Sequence, residues 1–203
     1  MNLCVVGNGP SAKGRGRDID ACDVVVRIKA WWAHGAEDAG DRCDVLAWAG
    51  HDGGFQELKE PLNCEHWFLV HPERLQGMPR GDANKRVSFF SQHAQLSLIR
   101  WSTDTLWHLA FARLDRHPSS GFMTFAMAMG IIKPDVMTLF GMDSTLPDAP
   151  NYADARLPFI PRPPFPHNLL AEKREIAEID NGTWLGEPCH TKLHWPDMPD
   201  LGA

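Results

Sequence analysis

Three short stretches of this chain carry residue types that could do chemistry together. The first is Gly7-Asn8-Gly9-Pro10-Ser11, a tight turn that follows the apolar run Leu3–Val6. Glycine at such a strand end lets the backbone approach a nucleotide phosphate or ribose closely. The second is His117-Pro118-Ser119-Ser120-Gly121, placed just before an apolar stretch. The bare N–H groups of a helix start and the positive end of its macrodipole attract anions. A serine at that position serves equally well as a plain N-cap. The third is His167, five residues before Glu172. The positive end of a helix keeps such a histidine neutral and basic, as a general base must be. Five residues advance a helix by roughly 500°, so Glu172 and His167 share no face. Glu172 is expected to anchor backbone donors of a neighbouring loop instead.

The glycine turn alone does not name the nucleotide. Gly7–Ala12 also fits the loose dinucleotide pattern G-x-G-x-x-G/A. In that reading the second strand should end in an acid that binds the ribose hydroxyls. Here the candidates are Arg27, which faces the ligand edge if the strand ends near Ile28, and Lys29; they suit a phosphorylated ribose or another anion. NADP therefore stands as an alternative. Asp18-Ile-Asp20 mimics a metal-diphosphate D-x-D, but sits in a charged loop before the second strand. His190-x-x-x-His194 beside Cys189 has zinc-like spacing without a second ligand cluster.

The elements that must position these residues read as an α/β fold. Apolar runs at Leu3–Val6, Val24–Ile28, Val45–Trp48, Trp67–Val70, Val87–Phe90 and Val136–Phe140 are expected as strands covered on both faces. Thr103–Leu114 has the periodicity of an amphipathic helix, and Gly121–Ile132 is apolar all round, hence a buried helix ended by Pro134-Asp135. His167–Ile179 is expected as a polar-faced helix stopped by Asn181-Gly182. Between them, residues 146–166 hold seven prolines, a loop long enough to act as a lid. Residues 1–183 are thus expected as one α/β domain with the glycine turn as its candidate nucleotide site, and 184–203 as an irregular extension.

With 203 residues, one full core is expected. The net charge of −6 argues against nucleic-acid binding, which needs a basic footprint. Five scattered cysteines without a C-x-x-C pair suggest reduced thiols in a cytoplasm. With no membrane-span-length apolar run and a first strand that begins at once, a soluble cytoplasmic protein is expected, with docking at the inner membrane surface left open.

Taken in order, the motifs resemble the sialyltransferases of glycosyltransferase family 29. Cys4–Ile28 (CVVGNGPSAKGRGRDIDACDVVVRI), followed by Gly40-Asp41-Arg42, is similar to the large sialyl motif. Pro118–Gly141 (PSSGFMTFAMAMGIIKPDVMTLFG) is similar to the small motif, and His167/Glu172 to the very short one. The GNGPS turn is closer to the bacterial family 42 enzymes. The resemblance covers residues 3–172, without a motif in 50–116.

It implies a single Rossmann-like domain, mainly parallel, of the sialyltransferase-type GT-A variant. It further implies a CMP-sugar donor, sialic acid or a related acid such as Kdo, and a glycan or lipid-linked glycan acceptor. By position, Asn8, Gly9 and Ser11 would contact CMP, while Ser119, Ser120 and Gly121 would hold ribose, phosphate or sugar carboxylate. His167 would deprotonate the acceptor hydroxyl, supported by Glu172, and no metal or other cofactor is expected. Two positions depart from the pattern. Lys29 replaces an asparagine, and Asn151-Tyr152 stands where a histidine-tyrosine pair is expected. Both remain in the donor-contact set, together with Arg27. Asparagine can donate to a leaving phosphate but cannot protonate it, so an inactive CMP-binding relative is a further alternative.

Overall fold

The computed structural model describes residues 1–28, 36–48, 64, 66–70, 99–101, 104–142 and 168–196. Seven strands form one sheet: β1 (Asn2–Val6), β2 (Val24–Ile28), β3 (Val45–Trp48), β4 (His66–Leu69), β5 (Ile99–Trp101), β6 (Val136–Phe140) and β9 (Lys192–His194). Their order is β5-β4-β3-β2-β1-β6-β9, and every neighbouring pair is parallel. A small antiparallel pair, β7 (Thr183–Trp184) and β8 (Glu187–Pro188), stands apart from it.

Apolar runs become strands here because both faces are covered. On β1, Leu3 and Val5 join a core beneath α3 (Asp104–Leu114), α4 (Ser120–Met127) and α5 (Leu169–Ala177). Cys4 and Val6 point the other way, into a smaller core with Ile19 of α1 (Gly16–Asp20) and Ala39 of α2 (Ala36–Ala39). Two apolar layers back to back remove the alternation that a half-exposed strand would show. The chain is a single three-layer α/β domain.

Two expected helices end differently from their sequence pattern. The buried helix is α4 continued by a π turn over Ala128–Ile132, with Lys133 left-handed at φ 53° closing it. Burial stops at Met129, and Ile131 is 45% exposed, so the stretch is not buried to its end. α5 begins at Leu169, capped by the Asn168 side chain, and tightens into a 3-10 turn that Gly182 stops at φ 77°.

Residues 184–196, the described part of the stretch expected as an irregular extension, contain strand structure. β9 pairs with β6 and completes the sheet, with Met137 opposite Leu193. Three residues are too few for any periodicity to show, and the same holds for β5. The strand expected at Val87–Phe90 and the loop 146–166 lie outside the described residues. Among the described residues, no helix is long and apolar enough to cross a membrane.

Candidate active site

β1 is flanked by β2, the next strand in the chain, and by β6, which returns from far along it. The strand order reverses there, and open parallel sheets bind ligands outside the carboxyl ends of strands at such a point. The glycine turn begins at this edge and is tied to both neighbours. Gly7 N–H donates to the Phe140 carbonyl and Gly9 N–H to the Gly141 carbonyl, both at 2.8 Å. The Ser11 hydroxyl accepts from Gly141 N–H at 3.0 Å. On the other side, the Asn8 side-chain amide donates to the Ile28 carbonyl at 3.2 Å.

Side chains are absent from the pinch because none would fit. A Cβ on Gly7 would lie 2.3 Å from the Gly141 oxygen, and one on Gly141 would lie 2.6 Å from the Gly7 oxygen. Gly141 also holds φ +64°, which other residues adopt only with strain. Gly141 closes the small-motif stretch in the sequence, but its pairing with Gly7 could be seen only once β6 lay beside β1.

The start of α4 comes to the same edge. A Cβ on Gly121 would stand 3.1 Å from Cε of Met142, the residue after Gly141. Ser119 is the N-cap, its hydroxyl accepting from Phe122 N–H at 3.1 Å. That hydroxyl donates in turn to Glu172 at 2.6 Å, and Ser119 N–H donates to the other carboxylate oxygen at 2.6 Å. Ser119 is therefore occupied within the protein. The N–H groups of Ser120 and Gly121 have no partner among the described residues and lie at the positive end of the helix.

Glu172 is buried, and its carboxyl is pushed up to about 7 by that burial, against the pull of the two Ser119 donors and nearby Lys173. It reaches across from α5 to the α4 start, the loop-anchoring geometry that its helical phase implied. A second tie holds the same helix: Arg113 of α3 forms a two-pronged ion pair with Glu175, at 3.1 and 3.2 Å.

Arg27 has a different place from the one expected. Its side chain is fully buried. The guanidinium donates to the Ala39 carbonyl at 2.7 Å and the Arg42 carbonyl at 2.5 Å, with Asp20 at 3.7 Å. A cation so placed braces the loop before β3 and does not face a ligand at the carboxyl edge. Burial forces this arrangement, since a desolvated guanidinium is tolerated only where carbonyls replace its water. Asp20 is likewise structural, accepting from Asp41 N–H at 3.0 Å and Arg42 N–H at 3.1 Å.

The structure thus brings Asn8, Gly9, Ser11, Ser119, Ser120, Gly121 and Glu172 to one edge and sets Arg27 apart from it. Lys29, Asn151, Tyr152 and His167 lie outside the described residues; in the chain, His167 immediately precedes the Asn168 cap.

No family model and no curated protein matches this chain. Solved structures do. The sialyltransferase CstII from Campylobacter jejuni, in complex with the substrate analogue CMP-3FNeuAc, superposes with a TM-score of 0.60 at 13% identity, over 98% of this chain and 81% of that one. The monofunctional alpha-2,3-sialyltransferase Cst-I from the same organism gives 0.63 at 12% identity, over 98% and 76%. A mammalian sialyltransferase gives 0.61 at 16% identity, over 96% and 68%. At these identities the likeness speaks for architecture: the chain has the fold of the sialyltransferases.

Proposed function

We propose that this chain is a CMP-sugar-dependent glycosyltransferase that moves sialic acid, or a related acid such as Kdo, onto a glycan hydroxyl. The observation that carries the reading is the meeting of the glycine pinch and the α4 start at the strand-order reversal. The similar fold of a protein solved with a CMP-sugar analogue supports it.

In this reading the Gly7–Ser11 turn and Asn8 hold the cytidine side of the donor. Ser120 and Gly121 N–H groups hold its phosphate or the sugar carboxylate, two anionic groups that a helix start favours. Lys29, Asn151 and Tyr152 complete the donor contacts. The acceptor oxygen attacks the anomeric carbon in line while His167 takes its proton, and CMP leaves with the bond's electron pair. The product is inverted. A monophosphate leaving group carries less charge than a diphosphate, so hydrogen-bond donors suffice and no metal is required. The acceptor is a glycan or lipid-linked glycan, met in the cytoplasm or at the inner membrane surface. An NADP site would now rest on Lys29 without Arg27, whose guanidinium is held in the core.

Calorimetric titration with CMP and with NADPH tests the binding half of this reading. CMP should bind and NADPH should not; the reverse overturns it. Turnover of CMP-sialic acid and CMP-Kdo by wild type and His167→Ala, each with and without EDTA, tests the chemistry. The variant should lose turnover and keep its CMP affinity, since a general base acts in the transition state. EDTA should change nothing. CMP binding without turnover by wild type would instead identify an inactive relative.

A further inference from the structure

At the amino ends of β3 and β4, the edge opposite the glycine pinch, two cysteines stand side by side. Val45 of β3 lies opposite His66 of β4 in the parallel register. Cys43 and Cys64 each precede those partners by two residues, so strand alternation puts both side chains on one face. Their sulfurs are 3.6 Å apart. Each also faces the carbonyl two residues ahead, Cys43 that of Val45 at 3.6 Å and Cys64 that of His66 at 3.2 Å. Both side chains are nearly buried, at 8% and 7% exposure.

The two thiols are unequal. The hydrogen bond from Cys43 favours the thiolate of Cys64 and lowers its pKa, while the same bond and burial raise that of Cys43. One sulfur is thereby the better nucleophile and the other keeps its proton nearby, the division of labour that dithiol oxidation uses.

We propose that Cys43 and Cys64 form a reversible oxidation site, closed by a small hydroperoxide into a disulfide that staples the start of β3 to the start of β4. The Cys64 thiolate attacks one peroxide oxygen and the O–O bond breaks; the departing hydroxide takes up the proton that Cys64 gave up on ionising and leaves as water, with Cys64 now a sulfenic acid. The Cys43 sulfur then attacks the Cys64 sulfur and displaces its oxygen, which takes the Cys43 proton and leaves as a second water. Two thiols are oxidised by two electrons and one hydrogen peroxide is reduced to two waters. The oxidant has to be small because thiols this buried exclude a bulky disulfide.

Another pair is nearby in the chain, and its setting differs. Cys4 and Cys22 also share a hydrogen bond. Cys4, however, lies inside β1, laddered on one side to β2 and on the other to β6. Its sulfur faces the Ile19 carbonyl at 3.7 Å and that of Cys22 faces the Asp18 carbonyl at 3.5 Å. Cys43 and Cys64 precede their strands and stand outside the β3–β4 ladder, which starts at Val45 and His66.

The test uses the reduced full chain with Cys189→Ser, which removes the most exposed thiol, and treatment with hydrogen peroxide. The expected product has lost two hydrogens and yields a Cys43–Cys64 peptide in a non-reducing map. Closing a loop of this span removes chain entropy from the unfolded state, so the melting temperature should rise by about 10 °C and return with dithiothreitol. Cys43→Ser should stop at a sulfenic acid on Cys64, read as one added oxygen in the intact mass that dithiothreitol removes. A folded protein whose Cys43 and Cys64 stay free under peroxide overturns the proposal, as does a map showing only Cys4–Cys22.

Discussion

The two edges of one sheet treat polar groups in opposite ways. At the amino edge, charges are spent on one another and on the backbone. Arg42 donates to the carbonyls of Asp20, Cys22 and Asp23 and to the Asp44 carboxylate. Asp44 in turn accepts from Val25 N–H, and Asp23 from Asn2 N–H. Arg27 reaches from β2 toward the same loop. At the carboxyl edge the polar side chains among the described residues are fewer, and backbone N–H groups at a helix start have no partner among them. Within the described residues the richly charged region is scaffold, and the sparsely charged one presents the open N–H groups that an anion could meet. Charge in a motif marks a ligand contact only when the fold has not already used it.

The sharpest way to break this comparison is to fill the pinch. Gly7→Ala puts a Cβ against the Gly141 backbone, which no rotamer change relieves. A loss of about 4 kcal/mol or more in urea unfolding is expected, as for other forced backbone clashes. A variant of normal stability would mean that the two strand ends are free to part.

Arg27→Met comes next. Removing the guanidinium leaves the Ala39 and Arg42 carbonyls without their donor, at a cost of about 3 kcal/mol in the same assay. CMP affinity of the folded variant should stay within about twofold, as a scaffold role away from the ligand requires. A large fall in affinity with unchanged stability would return Arg27 to the donor site.

The smallest effect sharpens the carboxyl edge. The Glu172 carboxyl sits at about 7 in the fold against an ordinary 4.5. Because the folded value is the higher one, its protonation stabilises the fold below the ordinary value, and this is lost as pH rises toward 7. The stability advantage of wild type over Glu172→Gln should shrink by about 2 kcal/mol between pH 5 and 8. A difference independent of pH would show that the carboxyl does not titrate there.

Much of this architecture was legible in the chain, and the illegible parts share a cause. The strands Val24–Ile28, Val45–Trp48 and Val136–Phe140 coincide with their apolar runs, because burial on both faces leaves an uninterrupted signal. Ile99–Trp101 and Lys192–His194 are strands only by virtue of their neighbours. Glu172 could be placed from helical phase alone, since its effect depends on local geometry. Arg27 could not: the sequence records a charge but not which way a long side chain turns. Cys43 and Cys64 looked scattered for the same reason, their meeting being set by the register of β3 on β4.

The order of strands also says something about when this molecule becomes competent. β1 finds β2 within a few dozen residues, but its other flank, and the Ser11–Gly141 bond beside it, must wait for a segment 130 residues downstream. At ordinary ribosomal speed that is an interval on the order of 10 s, during which one side of the first strand is uncovered. The carboxyl edge around the glycine pinch is therefore among the last parts to close during synthesis, after the scaffold around Arg42 has every partner it needs.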